Sequence, residues 1–310
     1  MRIFRHAADV PADAQGAAVA IGNFDGLHPG HRLVIGRAQE AAKRLGAPAG
    51  VLTFEPHPRQ FFQPDAPCLR LTPFRPKARL LQAMGLDLMF ALAFDAALAG
   101  LSPEAFVAEI LAKALGLKHV VVGYDFVFGK KRAGDAKRLI AEGARHGIAV
   151  DVIEPVTAAG GTIYSSTKVR EALLAGDAAG AASILGREWE IEGHVQAGDR
   201  RGRTIGFATA NLMLEGYLTP RHGVYAVKAW IEDDPTPLKG VANIGRRPTF
   251  GGGGVLLETH LFDFATDIYG KHMRVALVDF IREERKFPGL EALKAQIETD
   301  GAAARRILAA

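Results

Sequence analysis

Two histidines stand three residues apart in the segment GNFDGLHPGH, which runs from Gly22 to His31. The segment follows an apolar run and leads into a stretch with helical periodicity, so both imidazoles can lie near one side of the first helical turn. That turn also offers unpaired backbone N–H groups and the positive end of the helix dipole. His28 and His31 therefore predict an anion site, and the glycines Gly22, Gly26 and Gly30 would let the backbone come close to bound phosphates.

A pair of histidines at such a place suits attack at an α-phosphate. Negative charge that builds on the phosphoryl oxygens needs fixed donors more than it needs a base. Two other interpretations stay open. Histidines at this spacing can bind zinc, although no cysteine, HExxH pattern or evident third ligand accompanies them. Both can also be purely structural at an exposed strand-to-helix turn.

The first half of the chain alternates strand-like apolar runs with helical segments. The strand-like runs are AVAIG (18–22), GVLTF (50–54), LDLMFALAF (86–94), HVVVG (119–123) and IAVDVIEPV (148–156). One helical segment between them opens with Ser102 as a cap and Pro103 at its first position, and it closes at Gly116. Continuous apolar strands separated by helices predict a parallel sheet covered on both faces, with ligands at the carboxyl ends of its strands.

The pattern changes after about residue 187. The segments WEIEGHVQAG, TIGFATANLML, GVYAVKAWIE, LKGVANIG, VLLETHLFDF and MRVALVDFIREE are β-rich and separated by turn residues, which is typical of an antiparallel barrel or sandwich. A helical segment, GLEALKAQIETDGAAARRIL, closes the chain. We predict an α/β doubly wound parallel sheet in residues 1–186, to which the helices of REALLAGDAAGAASILG belong. Residues 187–310 are expected to form a mainly antiparallel β-barrel domain with a C-terminal helix.

The composition excludes several classes of protein. The chain has 310 residues, 48% of them hydrophobic and 23% charged, which argues against general disorder. A single cysteine, Cys68, excludes an internal disulfide and a multi-cysteine metal site. The net charge of +4 is a weak field for a chain of this size, and no apolar run reaches the length of a membrane helix. We expect a cytoplasmic protein that binds neither nucleic acid nor membrane; its protein partners are unknown.

The segment GNFDGLHPGH resembles the signature of the HxGH nucleotidyltransferases, which bind ATP on a doubly wound sheet and release pyrophosphate. Two later segments, GYDFVFGKKRAGD and YSSTKVREALLAGD, support the resemblance. In the family a Ser/Thr-rich stretch and its arginine hold the β- and γ-phosphates, although SSTKVREAL by itself is also an ordinary capped helix. Asp125 stands where many relatives carry Asn, which keeps an acceptor but removes a donor. The resemblance implies catalytic roles for His28 and His31. It implies ATP binding at Gly22, Phe24, Asp25, Gly30, Asp125, Ser165, Ser166, Thr167 and Arg170.

The segment TFEPHPRQFF (53–62), followed by LTPFRPKARLL, narrows the resemblance to the bacterial bifunctional riboflavin kinase/FAD synthetases. In that family this part of the chain helps to receive the flavin, which implies flavin contacts at Phe54, Pro56, His57 and Phe62. Phenylalanines beside a strand end can offer a face to an isoalloxazine ring, but they belong to a core more often.

The second half resembles the riboflavin kinase module over nearly its whole length. The chain contains no GxxxxGK[ST] sequence, so ATP must be held without a P-loop. The glycine-rich segment AGDRRGRTIG could supply a backbone nest for phosphates at Gly198, Gly202 and Gly206, although such a segment is more commonly only a turn.

The motif TANL follows this glycine-rich segment. In the family its threonine and asparagine meet Mg²⁺ and the ATP phosphates, which implies ATP and metal binding at Thr209 and Asn211. The family usually has Pro before this threonine, and the chain has Ala208, which frees one φ angle. Glu258, in LETHLFDF, matches the family's catalytic base; on a strand it would share one face with His260 and Phe262.

The resemblance implies a bifunctional flavin enzyme. The C-terminal domain would phosphorylate riboflavin with ATP to FMN, and the N-terminal domain would transfer AMP from ATP to FMN, giving FAD and pyrophosphate. ATP is then the co-substrate, Mg²⁺ the metal, and FMN and FAD are the products. The alternative is a single-activity HxGH nucleotidyltransferase with a regulatory flavin-binding barrel.

Overall fold

The computed structural model of the chain describes residues 1–155, 164–196, 207–246 and 254–309. They fall into two compact units. The first unit comprises Met1–Pro67 and Thr72–Tyr164, and the second comprises Cys68–Leu71 and Ser165–Ala310. In the described part of the chain, no helix combines the length and the apolar character that crossing a membrane requires.

The first unit is built on a six-stranded sheet. Its strands are β1 (Arg2–Phe4), β2 (Ala18–Ile21), β3 (Ala49–Glu55), β4 (Leu88–Ala93), β5 (His119–Gly123) and β6 (Ala149–Ile153). They pair in the order β1-β4-β3-β2-β5-β6, and every pair is parallel. Each of the five predicted strand-like runs forms one of these strands. β1 has no apolar run and was not predicted.

Helices cover both faces of this sheet. The α-helices are α1 (Pro29–Leu45), α2 (Pro58–Phe62), α3 (Phe74–Ala83), α4 (Ala96–Gly100), α5 (Pro103–Ala105) and α6 (Ala136–Arg145). A π-helix (Phe106–Ala114) continues α5, and short 3₁₀ helices occur at Ala7–Asp9, Ala12–Ala14 and Lys130–Arg132. The apolar side of α1 packs with Leu81 of α3 on one face, whereas the π-helix and Leu139 of α6 pack on the other. This is the predicted doubly wound arrangement.

The second unit contains a six-stranded antiparallel sheet that curls into a nearly closed barrel. Its strands are β7 (Trp189–His194), β8 (Ala210–Met213), β9 (Gly223–Ile231), β10 (Leu238–Arg246), β11 (Val255–Leu261) and β12 (His272–Arg282). They pair in the order β7-β12-β9-β10-β11-β8. The backbone N–H of Gln196, just after β7, donates to the carbonyl of Asn211 on β8 at 2.9 Å, so the two ends of the sheet meet.

Among its described residues, the second unit also has three helices: α7 (Ser166–Ala175), α8 (Ala178–Leu185) and α9 (Leu290–Ile307). Side chains of α7 and α8 share a core with the barrel interior, and α9 packs on the outside of β9, β10 and β12. The predicted barrel with its C-terminal helix is confirmed. The second compact unit begins at Ser165, earlier than Gly186. The assignment of the two chemistries to residues 1–186 and 187–310 stays a prediction.

Candidate active sites

The histidine-containing segment of the first unit lies where the order of the parallel sheet reverses. β2 pairs with β3 on one side and with β5 on the other. The helix after β2 covers one face of the sheet, and the π-helix before β5 covers the opposite face. Connections that leave on opposite faces open a crevice at the carboxyl ends of the two strands. Gly22–His31 follows β2 and Asp125 follows β5, so the structure brings both to this edge.

The turn after β2 has an unusual backbone. Phe24 and Leu27 have φ angles of 48° and 46°, and Gly26 between them has a φ of 90°. The two non-glycine side chains are buried in the core beneath α1. Asp25 is only 3% exposed, and its Oδ1 accepts a 2.9 Å hydrogen bond from the backbone N–H of Thr72. The structure thus places Asp25, a predicted ATP-binding residue, against the protein interior.

His28 and His31 contact each other at the start of α1. His28 is the N-cap, and its Nδ1 accepts from the backbone N–H of His31 at 3.4 Å. A neutral imidazole that accepts at Nδ1 carries its proton at Nε2, which is then a donor. The two rings stack with centroids 3.7 Å apart. A Cβ at Gly30 would stand 3.2 Å from the His28 ring, so glycine leaves room for this stack.

Pro29 occupies the first position of α1, where its missing N–H costs nothing. The N–H of His31 is used by the His28 ring, and the N–H of Arg32 donates to the His28 carbonyl at 3.1 Å. The positive end of the helix dipole faces the helix start. Donor side chains at a helix N-terminus stabilise a polyphosphate through hydrogen bonds and the helix dipole together. The two histidines thus lie at a helix start, and their binding of an anion stays a prediction.

The segment predicted to receive the flavin follows β3. The Glu55–Pro56 peptide is cis, and His57 caps α2 by accepting from the N–H of Arg59 at 3.1 Å. Phe54 is half-buried against the sheet core, whereas Phe62 is 64% exposed. The rings of Phe54, Phe61 and Phe62 each meet Phe94 edge to face, at centroid distances of 5.7, 5.4 and 5.8 Å. These phenylalanines form one aromatic patch. Phe94, which sequence reasoning missed, lies at its centre.

Ser165, Ser166, Thr167 and Arg170 lie at the start of α7, in the second compact unit. Ser165 caps the helix, because its Oγ accepts from the N–H groups of Thr167 at 3.1 Å and Lys168 at 3.3 Å. The Nε of Arg170 donates to the carbonyl of Leu69 at 2.7 Å. The ordinary capping interaction is present, and the phosphate-binding role of these residues stays a prediction.

The candidate kinase residues lie on the outer face of the barrel. Ala210 and Leu212 of β8 and Leu257 of β11 belong to the interior core. Since side chains alternate along a strand, Asn211 and Glu258 point to the opposite face. They are direct cross-strand partners, and residues so paired have Cβ atoms about 5 Å apart. Thr209 lies directly before β8, two positions from Asn211 in the chain; its part in the site stays a prediction.

Asn211 has a particular environment. It is 4% exposed, and its Oδ1 is buried without a hydrogen bond to any described residue. An orphaned amide oxygen beside a carboxylate suits a hard cation, which prefers oxygen ligands. Among the described residues, no group of three or more His, Cys, Asp and Glu side chains could hold a metal; the candidate set here uses Thr and Asn oxygens.

Asn243 of β10 extends this row and was missed by sequence reasoning. It is the cross-strand partner of Glu258 on the side opposite Asn211. Its Nδ2 donates to Oε1 of Glu284 at 3.1 Å. A Cβ at Gly245 would collide with the same carboxylate, so glycine admits Glu284 here. Only the register between β10 and β11 reveals this neighbour.

The two residues predicted to share a face with Glu258 can also be placed. His260 shares the face of Glu258, and its Nδ1 lies 2.9 Å from the carbonyl of Ala208, while its ring meets Phe262 at 6.0 Å. Burial raises the pKa of Tyr225, inside the barrel, well above its usual range. Gly198, Gly202 and Gly206 lie outside the described residues.

The chain combines a doubly wound sheet that carries a histidine pair at a helix start with a barrel that carries an Asn–Glu pair, an arrangement that fits a transferase with two nucleotide chemistries. The family model described as FAD synthetase matches residues 10–168, and the one described as riboflavin kinase matches residues 185–308. The chain is 43% identical over 295 residues to the bifunctional riboflavin kinase/FMN adenylyltransferase of Escherichia coli K12, covering 95% of this chain and 93% of the relative. The corresponding protein of Pseudomonas fluorescens is 41% identical over 310 residues, with coverage of 100% and 98%.

A crystal structure described as a macrolide-efflux protein from Streptococcus pneumoniae has the same fold. The two structures align with a TM-score of 0.83 at 31% identity, and the alignment covers 98% of both chains. The chain belongs to the family of bifunctional riboflavin kinase/FMN adenylyltransferases. The prediction of a transferase of this family is confirmed, and a single-activity nucleotidyltransferase is not favoured, because both family models match.

Proposed function

We propose that this chain converts riboflavin to FMN and FMN to FAD, with ATP as co-substrate in both steps. The kinase step is assigned to residues 187–310 and the adenylyl transfer to residues 1–186. The observation that carries the proposal is the presence of two separate constellations, His28–His31 in the first unit and Asn211–Glu258 in the second. A cytoplasmic location and the absence of nucleic-acid partners stay predictions.

At the first site the FMN phosphate attacks the α-phosphorus of ATP, a new P–O bond forms, and the bond to pyrophosphate breaks. The attacking oxygen is already anionic and needs no base. The histidine pair and the N-terminal turn of α1 would donate to oxygens that gain charge in the transition state. Fixed donors act without reorganisation at the moment of reaction, and the stacking and capping of the two rings supply that rigidity.

The flavin is assigned to the aromatic patch beside β3. Phe62 has the exposure that stacking on a flavin ring requires, whereas Phe54 mainly supports the patch from below. Pro56 and His57 would line the same loop. Asp125, exposed after β5, would accept from the nucleotide at the neighbouring strand end.

At the second site Glu258 would accept the proton of the terminal ribityl hydroxyl as that oxygen attacks the γ-phosphorus, and the bond to ADP breaks. The orphaned Oδ1 of Asn211 and the hydroxyl of Thr209 fit Mg²⁺. When bound there, the ion would neutralise phosphate charge. Asn211 and Thr209 orient the phosphates, and Glu258, the neighbour of Asn211, moves the proton.

The proposal is tested by incubating the protein with riboflavin, ATP and Mg²⁺ and separating the flavins by chromatography. We expect both FMN and FAD. His31→Ala should lower FAD formation about 100-fold or more, because it removes a transition-state donor, and should leave FMN formation intact. Glu258→Gln should lower FMN formation at least about 100-fold and spare adenylylation of supplied FMN.

His146→Ala and Glu215→Gln serve as matched controls, since both positions are exposed and lie outside the two sites. Equal loss of both activities in a folded His31→Ala or Glu258→Gln protein would contradict the assignment of two sites. Production of neither flavin by the wild-type protein would contradict the function itself.

A further inference from the structure

Thr72 makes a reciprocal pair of hydrogen bonds to the turn that carries the histidines. Its backbone N–H donates to Oδ1 of Asp25, and its Oγ1 accepts from the backbone N–H of Gly26, each at 2.9 Å. Thr72 is 2% exposed, so both bonds are shielded from water. Thr72 and Gly26 are 46 residues apart along the chain, and the segment LTPFRPKARLL gives no sign of this contact.

These two hydrogen bonds hold the turn at the residues whose backbone conformation is energetically least favourable. The clamped pair, Asp25 and Gly26, lies between Phe24 and Leu27, both of which hold left-handed φ angles without being glycine. Such conformations persist only when the surroundings over-determine them, and they cluster at functional sites. The hydrogen bond from the Gly26 N–H to Thr72 fixes the residue before Leu27, and His28 follows Leu27 directly. A change in these φ angles would rotate the N-cap and move both imidazoles.

Thr72 is itself held in place, because the helix that follows it, α3, is anchored in the protein core. Lys77, in the first turns of α3, is buried, and its Nζ lies 3.6 Å from Oε1 of Glu55 at the end of β3. Leu81 of the same helix is fully buried in the core beneath α1. The start of α3 is therefore tied to the strand that precedes the flavin loop, while Thr72 is tied to the nucleotide turn.

We propose that Thr72 is a positioning residue of the adenylyl-transfer reaction. Through Asp25 and Gly26 it holds the turn 24–27 in the conformation that aims His28 and His31 at the α-phosphate. The inference rests on the proposed function of the first unit and adds a residue that lies outside the segment Gly22–His31 and to which the resemblance assigned no role. It also gives Asp25 a role in shaping the turn.

The test compares Thr72→Val and Thr72→Ser in the full-length protein. Valine keeps the shape and the N–H bond to Asp25 but leaves the Gly26 N–H without its acceptor; serine restores the hydroxyl. Ser102→Ala is the control, because it also removes one hydroxyl acceptor from a backbone N–H of the first unit, at an exposed cap. FMN adenylylation, riboflavin phosphorylation and thermal unfolding are measured for each variant and for His31→Ala.

We expect Thr72→Val to lower kcat for FMN adenylylation about 10- to 100-fold, since small misplacements of catalytic groups have effects of this size. KM for ATP and FMN should change less than threefold, and Thr72→Ser should recover most of the rate. Riboflavin phosphorylation should be unchanged. In ¹⁵N-histidine spectra the ring signals of His28 and His31, assigned with single variants, should shift in Thr72→Val and not in Ser102→Ala.

An unchanged kcat in Thr72→Val, or a serine variant as slow as the valine variant, overturns the inference. Unfolding that accounts for the whole loss of rate, with histidine signals unmoved in the folded fraction, also overturns it. If wild type makes no FAD, the proposed function fails. If wild type makes FAD, His31→Ala does not, and Thr72→Val does so normally, only the positioning role fails.

Discussion

Asn211 is the predicted site residue whose environment has the clearest consequence for stability. An unsatisfied buried carbonyl oxygen costs about 1–3 kcal/mol, and an apolar side chain of the same shape would avoid that cost. The Oδ1 of Asn211 is such an atom among the described residues. A ligand that the oxygen binds would offset this cost, and the proposed function supplies one, the metal ion of the kinase step.

Asn211→Leu should therefore leave the melting temperature of the ligand-free protein unchanged or raise it. The variant should lose the stabilisation that Mg²⁺ and ATP add through the second site, together with riboflavin phosphorylation, and should still adenylylate supplied FMN. Asn243→Leu is the contrast, because it breaks the bond to Glu284 and should destabilise the protein by about 1 kcal/mol. Thermal melts with and without Mg²⁺ and ATP measure the melting temperature of each variant and its stabilisation by these ligands. Equal destabilisation by both variants would show that Asn211 is already satisfied.

The residues that sequence alone could predict are those whose surroundings are local. His28 and His31 belong to one turn, so their spacing was enough to predict that the two rings lie close together. The helix cap at Ser102 could be predicted in the same way. Thr72 and Asn243 could not be found in this way. Their partners are set by a contact 46 residues away and by the register of two strands.

Helices and strands, too, are predictable from sequence where the signal is local, and not where it depends on contacts between distant parts of the chain. The buried strands were predicted because a strand covered on both faces is apolar throughout. β1 is mostly exposed at the sheet edge and carries no such signal. The order β7-β12-β9-β10-β11-β8 depends on pairings between strands distant in sequence, which turn residues do not reveal. A single helix was expected from Ser102, whereas the structure continues α5 as a π-helix.

The C-terminal helix α9 is fixed to the barrel by two ion pairs of different kinds. Arg282 of β12 holds Asp300 in a bidentate pair at 2.7–3.1 Å, with side-chain exposures of 20% and 6%, and Gln296 donates to the same carboxylate at 2.6 Å. Arg305 pairs with Asp263 at the surface; hydrogen bonding to Arg305 lowers the pKa of Asp263. Because the Arg282–Asp300 pair is the more buried one, its loss should destabilise the protein more than loss of the Arg305–Asp263 pair.

Asp300→Ala should lower the free energy of unfolding of the second unit by about 3 kcal/mol, because it leaves Arg282 partly buried without its counter-charge. Asp263→Ala, which also removes a bidentate carboxylate, should have little effect, since both partners are exposed to solvent. Urea unfolding followed by near-ultraviolet circular dichroism measures both. Similar losses in the two variants would mean that α9 does not depend on the buried pair.

At the scale of the whole molecule, the second unit takes in chain from outside the predicted boundary at Gly186. Val169, Leu173 and Leu185 are fully buried in the core that contains Trp189. The indole N–H of Trp189 donates to the carbonyl of Leu71 at 2.8 Å, and the N–H of Leu218 donates to Arg70 at 2.7 Å. The chemistry assigned to residues 187–310 thus rests on a fold that also uses α7, α8 and residues 68–71.

Two fragments separate the chemical boundary from the structural one. A fragment of residues 187–310 keeps every predicted kinase residue but loses α7 and α8, whose buried Val and Leu side chains contribute about 1.5–3 kcal/mol each. Since whole domains are stable by only about 5–15 kcal/mol, this fragment should melt far below one of residues 165–310, or fail to fold. The longer fragment lacks only residues 68–71 of the second unit, so it should still unfold cooperatively and make FMN from riboflavin, ATP and Mg²⁺. Circular dichroism melts and flavin chromatography compare the two, with the full-length chain as reference. Equal melting temperatures and equal turnover would place the structural boundary at Gly186 after all and would leave α7 and α8 without a part in the kinase fold.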